Sequence, residues 1–315
     1  MVSLISGTIE AVDKISVVIN TRNEEKNLPK TIASVKTLAH EIVVVDMKSE
    51  DETVKVAKRF GARVYEHTRI GYVEPARNFA ISKTTGDWVL VLDADEEIPK
   101  GLALKLKKIV KSPKADYFRI PRKNIIFGKW IKHSRWWPDY NIRFFKKGHV
   151  AWNELIHSVP ITQGMGADLP AKEELAIIHH NYNSIEQYLE RMNRYSSIQA
   201  KILIEGKHKF IWKDLISKPV NEFLSRYFAG EGYKDGLHGL ALSLLQAFSE
   251  LIVYLKVWQA EKFMEQAISV QEIDKEFGSL IKEVKWWISD TKIKSKGFFA
   301  SLPDKISRKF LSKNA

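Results

Sequence analysis

The feature that most limits this chain is a rhythm. Between residues 14 and 93, short β-branched and apolar runs alternate with stretches of helical character. Residues 14–20 (KISVVIN), 41–46 (EIVVVD), 63–65 and 87–92 (DWVLVL) read as strands. Residues 24–38, 52–60 and 74–83 read as the helices between them, the last closed by Thr84-Thr85-Gly86. Strands separated by single helices imply βαβ units and a parallel sheet, so the class is α/β. Continuous apolar runs such as VVV and VLVL fit a sheet covered on both faces.

After Asp95 the rhythm changes. Residues 101–111 predict an amphipathic helix, and 115–163 predict antiparallel strands and loops rich in Trp, Arg and His. From about Ser184 the pattern is helical nearly throughout, with breaks expected near Gly206, Pro219, the glycines at 230–239 and Pro303. The 315 residues allow two modest domains, or one with a large appendage. The chain has no cysteine, which excludes a disulfide-stapled fold, a thiolate zinc site, an iron–sulfur cluster and a cysteine nucleophile. Residues 1–14 lack a basic start and a long apolar core, so no signal peptide is expected.

Ligands of open parallel sheets bind outside the carboxyl ends of the strands. Three strands here end in polar groups. The first runs into Thr21-Arg22-Asn23-Glu24, the second ends at Asp46, and the fourth in Asp93-Ala94-Asp95-Glu96. One such ending is ordinary turn chemistry; three on one edge compose a site. Two carboxylates one residue apart can converge on a hard cation such as Mg²⁺ or Mn²⁺, which would offset the charge of a departing diphosphate.

Three segments then carry a resemblance: ISVVINTRNEEKNL (15–28), EIVVVDMKSEDET (41–53) and EPARNFAISKTTGDWVLVLDADEEI (74–98). In order and spacing they resemble family 2 inverting glycosyltransferases of the GT-A fold. WWPDYNIRFFKK (136–147) is similar to the acceptor-side segment of bacterial members. Residues 179–200 and 223–259 are similar to the helical tail of the lipopolysaccharide-core glucosyltransferase-like subgroup. The resemblance covers residues 14–260. It implies a GT-A nucleotide-sugar-binding domain over 1–180, a helical extension over 181–290 and a basic amphipathic tail over 291–315.

Residue by residue, the resemblance implies that Thr21, Asn23 and Glu24 line the nucleotide pocket and that Asp46 accepts a hydrogen bond from uracil. Arg77 and Asn78 would face the nucleotide and diphosphate. Asp93 would sit near ribose and metal, and Asp95 would ligate Mn²⁺ or Mg²⁺. Two positions depart from the family pattern: Met47 stands where a second acid is frequent, and Ser158 where the subgroup has Glu. An inverting transfer is one in-line displacement and needs a base, worth about 10²–10⁴-fold. Glu154 is the candidate, with His157 as rival base or metal ligand. Trp137, Asp139 and Arg143 are the expected acceptor residues, with a structural ion pair as the alternative for Arg143. Trp130, Trp136, Trp137 and Trp152 suit either sugar stacking or core packing.

Other signals are weaker. Gly230, Gly232 and Gly236 follow a helix rather than a strand, which argues against a dinucleotide loop and for a helix–helix turn. His179-His180 lacks partner ligands at metal spacing and reads as a structural pair. Residues 237–258 are long enough to cross a bilayer, about 33 Å as a helix. Ser243, Gln246 and Glu250 stripe one face, so an amphipathic helix at an interface, or in an oligomer, is preferred to a spanning one. The tail from 291 interleaves seven Lys and Arg with Phe298, Phe299, Leu302, Phe310 and Leu311, which suits an anionic membrane surface. The net charge of +12 leaves nucleic acid as an alternative partner, but no nucleic-acid motif appears, so none is expected. The expected partners are a nucleotide-sugar donor, probed first as UDP-sugar, and a saccharide or lipid-linked acceptor. The expected place is cytoplasmic, peripheral at the inner face of the cell membrane. An inactive nucleotide-sugar-binding homologue is the other alternative, motivated by Met47 and Ser158.

Overall fold

The structure, a computed structural model, describes residues 13–68, 74–152 and 160–295. The chain falls into two compact units. One comprises Met1–Ile125 and Pro138–Asn181, the other Ile126–Trp137 and Tyr182–Ala315.

The first unit opens with β1 (Ile15–Thr21), α1 (Leu28–Val35), β2 (Glu41–Asp46) and α2 (Thr53–Arg59). Then come β3 (Arg63–Glu66), α3 (Glu74–Ser82), β4 (Trp88–Asp93), β5 (Glu96–Glu97) and α4 (Lys100–Lys111). β6 (Tyr117–Ile126) leads to β7 (Lys129–Trp130), which lies in the stretch given to the second unit. β8 (Asp139–Lys146), β9 (Val150–Ala151), β10 (Ile161–Thr162), β11 (Gly166–Asp168) and β12 (Ile177–Tyr182) follow. The main sheet has the order β3-β2-β1-β4-β8-β6-β12-β5, with β11 beside β6. β3, β2, β1 and β4 run parallel, and β8 turns antiparallel to β4. The α/β sheet expected from the alternation is therefore present, mixed in strand direction.

β1 sits in the middle of the parallel half and is buried along its whole length. Its β-branched side chains fit a pleated surface packed on both faces. Val17 and Ile19 join Leu28, Ile32 and Leu90 on one side, while Val18 joins Val43, Val45, Val89 and Val91 on the other. The chain comes close at Gly86, whose amide donates to Ser16 Oγ at 2.9 Å. A Cβ there would stand 2.6 Å from the Lys14 carbonyl oxygen, which is why the turn ahead of β4 carries glycine.

The second unit is mostly helical: α5 (Ile185–Glu205), α6 (Asp214–Leu224), α7 (Leu237–Ala260) and α8 (Val270–Ser295). α5 starts at an N-cap, where Ser184 accepts from the Gln187 amide. The expected break at Pro219 does not occur. Pro219 lies inside α6, and the helix runs on to Leu224 before a wider turn over Ser225–Ala229. A proline removes one hydrogen bond, and here the packed helix absorbs that loss. The glycines at 230–239 make a tight turn into α7, where a Cβ on Gly239 would lie 1.8 Å from the Gly232 carbonyl oxygen.

The stretch 126–137 belongs to this unit for an identifiable reason. Asp235 is buried and accepts from the amide of His133 at 2.9 Å and of Lys132 at 3.2 Å. Its carbonyl accepts from Lys129 Nζ at 2.7 Å. Ile126 and Ile131 pack with Tyr188 and Leu242.

Candidate active site

Register brings the predicted strand ends together. Along β1, Thr21 pairs with Asp46 of β2 on one side, and Asn20 pairs with Asp93 of β4 on the other. Asp46 and Asp93 thus flank one strand end, about two strand spacings apart, near 10 Å. Between them the side chains are short of partners. The buried amide of Asn20, Thr21 Oγ and Arg22 Nε make no hydrogen bond. An unsatisfied buried polar group costs about 1–3 kcal/mol. Asn20 and Thr21 face opposite sides of the sheet, and with Arg22 just beyond them they leave polar atoms at the strand end that a polar ligand there would satisfy.

The loops leaving β1 and β2 are laced to each other. Asn23 adopts a left-handed φ of 54°, which asparagine tolerates well. Its amide donates to Ser49 Oγ at 2.8 Å, and its Oδ1 accepts from the Glu50 amide at 2.8 Å. The amide of Glu24 donates to Thr53 Oγ1 at 2.8 Å. Asp46 is buried and accepts twice from Ser49, from the amide at 2.9 Å and from Oγ at 2.5 Å. Each carboxylate oxygen keeps a lone pair for another donor. Met47 packs against the Val18–Val45 cluster, so the position where an acid is frequent is used here for packing.

Asp93 is gripped from two sides. Its Oδ1 accepts from Arg77 at 2.9 Å and its Oδ2 from Arg143 at 2.6 Å. Burial alone would raise this carboxyl, but the Arg143 and Arg77 guanidiniums outweigh it and hold the group well below the usual carboxylate range. Arg143, 3% exposed, also binds Glu96 at 2.8 Å. Burial opposes its charge, and Asp93 and Glu96 restore it, leaving its pKa raised. Glu96 is fully buried and accepts from the Asp93 amide at 2.9 Å. Arg122 reaches Glu96 at 3.4 Å and Asp139 at 2.6 Å. Signs thus alternate through Arg77, Asp93, Arg143, Glu96, Arg122 and Asp139. Arg143 sits inside this chain of ion pairs, the alternative weighed for it, while Asp139 closes its far end.

Asp95 points to a partner that the spacing of residues had hidden. It is buried, and its Oδ1 lies 3.7 Å from His179 Nε2. The other ring nitrogen of His179 meets Asn124 Oδ1 at 2.7 Å, which fixes the ring. A ring nitrogen anchored on one side is the usual arrangement of a metal-binding histidine. His180, its neighbour, turns away to Glu97 at 2.8 Å. The sequence does hold one signal for His179. β12 alternates buried and half-buried residues, and Ile177, His179 and Asn181 are the buried set, so the strand carries polar groups inward. Among the described residues no cluster of three or more His, Asp or Glu side chains stands ready for a metal, so the candidate set is this pair.

The remaining expected residues are dispersed. Asn78 uses both ends of its amide on the backbone of Trp152. Trp152 is buried against Phe145 in the first unit, so core packing is its place. Trp137 lies in the second unit, edge-on to Trp130 at 5.2 Å, whereas Asp139 and Arg143 lie in the first. Glu154, His157 and Ser158 lie outside the described residues, as does the tail from 296.

Comparison with known proteins decides the family. The profile of glycosyl transferase family 2 matches residues 16–166. A glycosyltransferase of Rickettsia typhi is 33% identical over 253 residues, covering 78% of this chain and 86% of its own length. The chain belongs to glycosyltransferase family 2. Its first unit is the GT-A sheet of that family, with the helical unit following. The lipopolysaccharide core biosynthesis glycosyltransferase LpsC of Rhizobium meliloti is 25% identical, over 75% of this chain and 89% of its own. Among solved structures, residues 1–349 of S. aureus TarS overlay with a TM-score of 0.44 at 16% identity, over 82% of this chain and 94% of that one.

Proposed function

We propose that this family 2 enzyme is an inverting, metal-dependent hexosyltransferase. Its donor is a nucleotide-diphosphate sugar, a UDP-sugar on the match at Asp46, and its acceptor a saccharide or lipid-linked glycan of the cell envelope. The observation that carries the reading is the end of β1, where buried polar atoms of Asn20, Thr21 and Arg22 without partners stand beside Asp93 on one side and Asp46 on the other. Asp46 would accept from the base, and Asp93, held by two arginines, from the ribose. The relation to LpsC, whose stated process is lipopolysaccharide core biosynthesis, supports an envelope acceptor.

The residues present fit a hard divalent cation, Mn²⁺ or Mg²⁺. Asp95 offers a buried carboxylate, and His179 an anchored imidazole 3.7 Å from it. One carboxylate, one imidazole and phosphate oxygens are a donor set that suits Mn²⁺. Asp93, whose two oxygens are each taken by a guanidinium, is better suited to orientation than to ligation. Such a cation, when bound, offsets the charge that builds on the leaving diphosphate. Arg77, paired with Asp93, would add fixed positive charge to the same task. Glu154 takes the proton of the acceptor hydroxyl as that oxygen attacks the anomeric carbon in line, with the diphosphate leaving from the opposite face.

The proposed place is the cytoplasmic side of an anionic membrane, and α7 supports the membrane contact. Its polar stripe is turned into its own unit. Ser243 is buried, and Gln246 donates to the Tyr188 hydroxyl at 2.6 Å and accepts from Arg226 at 3.3 Å. Leu237, Leu244 and Phe248 point outward, 78%, 53% and 44% exposed. Apolar groups outside and a chain charge of +12 match an anionic bilayer surface.

Titration calorimetry of UDP in Mn²⁺ and in EDTA tests the central reading. The unaltered chain should bind UDP more tightly with Mn²⁺, and Asp95→Ala should abolish the difference. Equal affinities with and without the metal in the unaltered chain would remove the metal from the scheme.

A further inference from the structure

Asn124 sits between a charged pair and a ring. It is fully buried on β6, two residues beyond Arg122 and therefore on the same face of that strand. Arg122 pairs across to Asp139 on β8, and its Nε and Nη2 donate to Asp139 Oδ2 at 2.8 and 2.6 Å. Asn141 donates to the other oxygen, Oδ1, at 3.1 Å. Held as the anion of an ion pair, Asp139 can only accept. The end of Asn124 that meets Asp139 Oδ2 at 3.1 Å is therefore its NH₂ end, because an amide oxygen there would face a carboxylate oxygen. That choice turns Asn124 Oδ1 the other way, where it lies 2.7 Å from Nδ1 of His179 on β12. An amide oxygen only accepts, so Nδ1 carries the proton.

The consequence falls on the other ring nitrogen. A neutral imidazole has one N–H, so with the proton on Nδ1 the Nε2 atom turns a lone pair towards Asp95 Oδ1 at 3.7 Å. His179 and Asp95 are both buried, and the His180 amide donates to the Asp95 carbonyl at 3.0 Å, so the two are carried by segments bonded to each other. A ring-nitrogen lone pair and a carboxylate oxygen held this way repel each other and attract a cation. Were Asn124 reversed, Nε2 would hold the proton and donate it to Asp95, and the imidazole would have no lone pair to offer there. We infer that Asn124 is a positioning residue: oriented by the Arg122–Asp139 ion pair, it holds His179 in the Nδ1–H form and so presents Nε2 as a metal ligand. Asp139 then acts on the ring through two hydrogen bonds in series. The ligand half of this inference rests on the metal reading above; the tautomer does not.

The experiment uses the full chain labelled with ¹⁵N at histidine, free of metal at pH 8, and reads the protonation of the His179 ring from its nitrogen shifts. The signal is assigned by its loss in His179→Gln. Mn²⁺ affinity is read in parallel from the electron paramagnetic resonance of the free ion, with UDP present. The unaltered chain should show Nδ1–H and a bare Nε2. A ring protonated at Nε2 alone, or at both nitrogens, overturns the proposal. Asn124→Leu removes the acceptor at Nδ1, and the Asp95 carboxylate should then draw the proton to Nε2. Mn²⁺ affinity should fall by about tenfold or more, the usual effect of losing such an outer partner. A ring still protonated at Nδ1 alone overturns the proposal. So does a moved proton with Mn²⁺ affinity within about twofold, since the tautomer then sets nothing that matters to the cation. Asp139→Ala is a second variant should the leucine form fail to fold. It keeps Asn124 and removes what orients it, so Nε2–H should appear and Mn²⁺ affinity should fall; an unchanged ring overturns the proposal. An unaltered chain that takes up no Mn²⁺ beside UDP defeats the metal reading, and the ligand half falls with it. The ring spectrum still decides the tautomer in that case.

Discussion

Asp93 illustrates how a single carboxylate is kept charged where water is scarce. Two guanidiniums stand on its oxygens, and one of them, Arg143, is itself buried between Asp93 and Glu96. Removing one partner of a buried pair leaves the other charge uncompensated, at a cost of about 3–5 kcal/mol. Arg143→Met should therefore lower the unfolding free energy obtained from urea titration at pH 7 by an amount of that order. The sign with pH follows from the lowered pKa of Asp93. A depressed folded value gives stability that is complete above the unfolded value, about 3.9, and drains away as pH falls towards the folded one. Acid should cost the unaltered chain more stability below pH 4 than it costs Arg143→Met, and urea midpoints measured down the acid range check this. Asp46, Asp93 and Asp95 were legible because strand ends are legible. Glu96, Arg122 and His179 were not legible as partners, because they meet across strands 26 to 84 residues apart whose pairing no local pattern specifies.

Among elements, β1, β2 and β4 were readable from continuous apolar runs, since burial on both faces leaves no room for alternation, whereas β3 (RVYE) is exposed at both ends and has no such run. The two- and three-residue strands β5, β7, β9, β10 and β11 were not, because backbone pairing rather than composition makes them. α7 was readable as apolar with a polar stripe, but the direction of that stripe was not. Within the unit, Glu250 on this stripe has its carboxyl pushed up by burial and by Glu222, against Arg226 and Lys218. A raised folded value means stability lost as pH rises through it. Glu250→Gln, which removes the ionisation, should raise the thermal midpoint at pH 7 and make little difference at pH 4. A lower midpoint at pH 7 would show that Glu250 earns its charge through Arg226.

For the whole molecule, +12 charges and an outward apolar helix face combine into one expectation. The chain should float with vesicles containing phosphatidylglycerol and stay behind with pure phosphatidylcholine, and added salt should weaken the association. Leu244→Glu with Phe248→Glu should release it while leaving UDP affinity unchanged. Flotation of that double variant equal to the unaltered chain would discard α7 as the contact. Length allowed two bodies or one with a large appendage, and charge raised the expectation of an anionic partner. They could not foretell that 126–137 would leave the first body for the second, because that depends on one buried acid, Asp235, accepting from the backbone of a loop about a hundred residues earlier.

That detour has a practical corollary for recombining relatives. Splicing the C-terminal stretch of one homologue onto the sheet of another would join Asp235 to a foreign loop at 132–133. The smallest piece that can be exchanged intact is discontinuous: residues 126–137 must travel with everything from 182 onward.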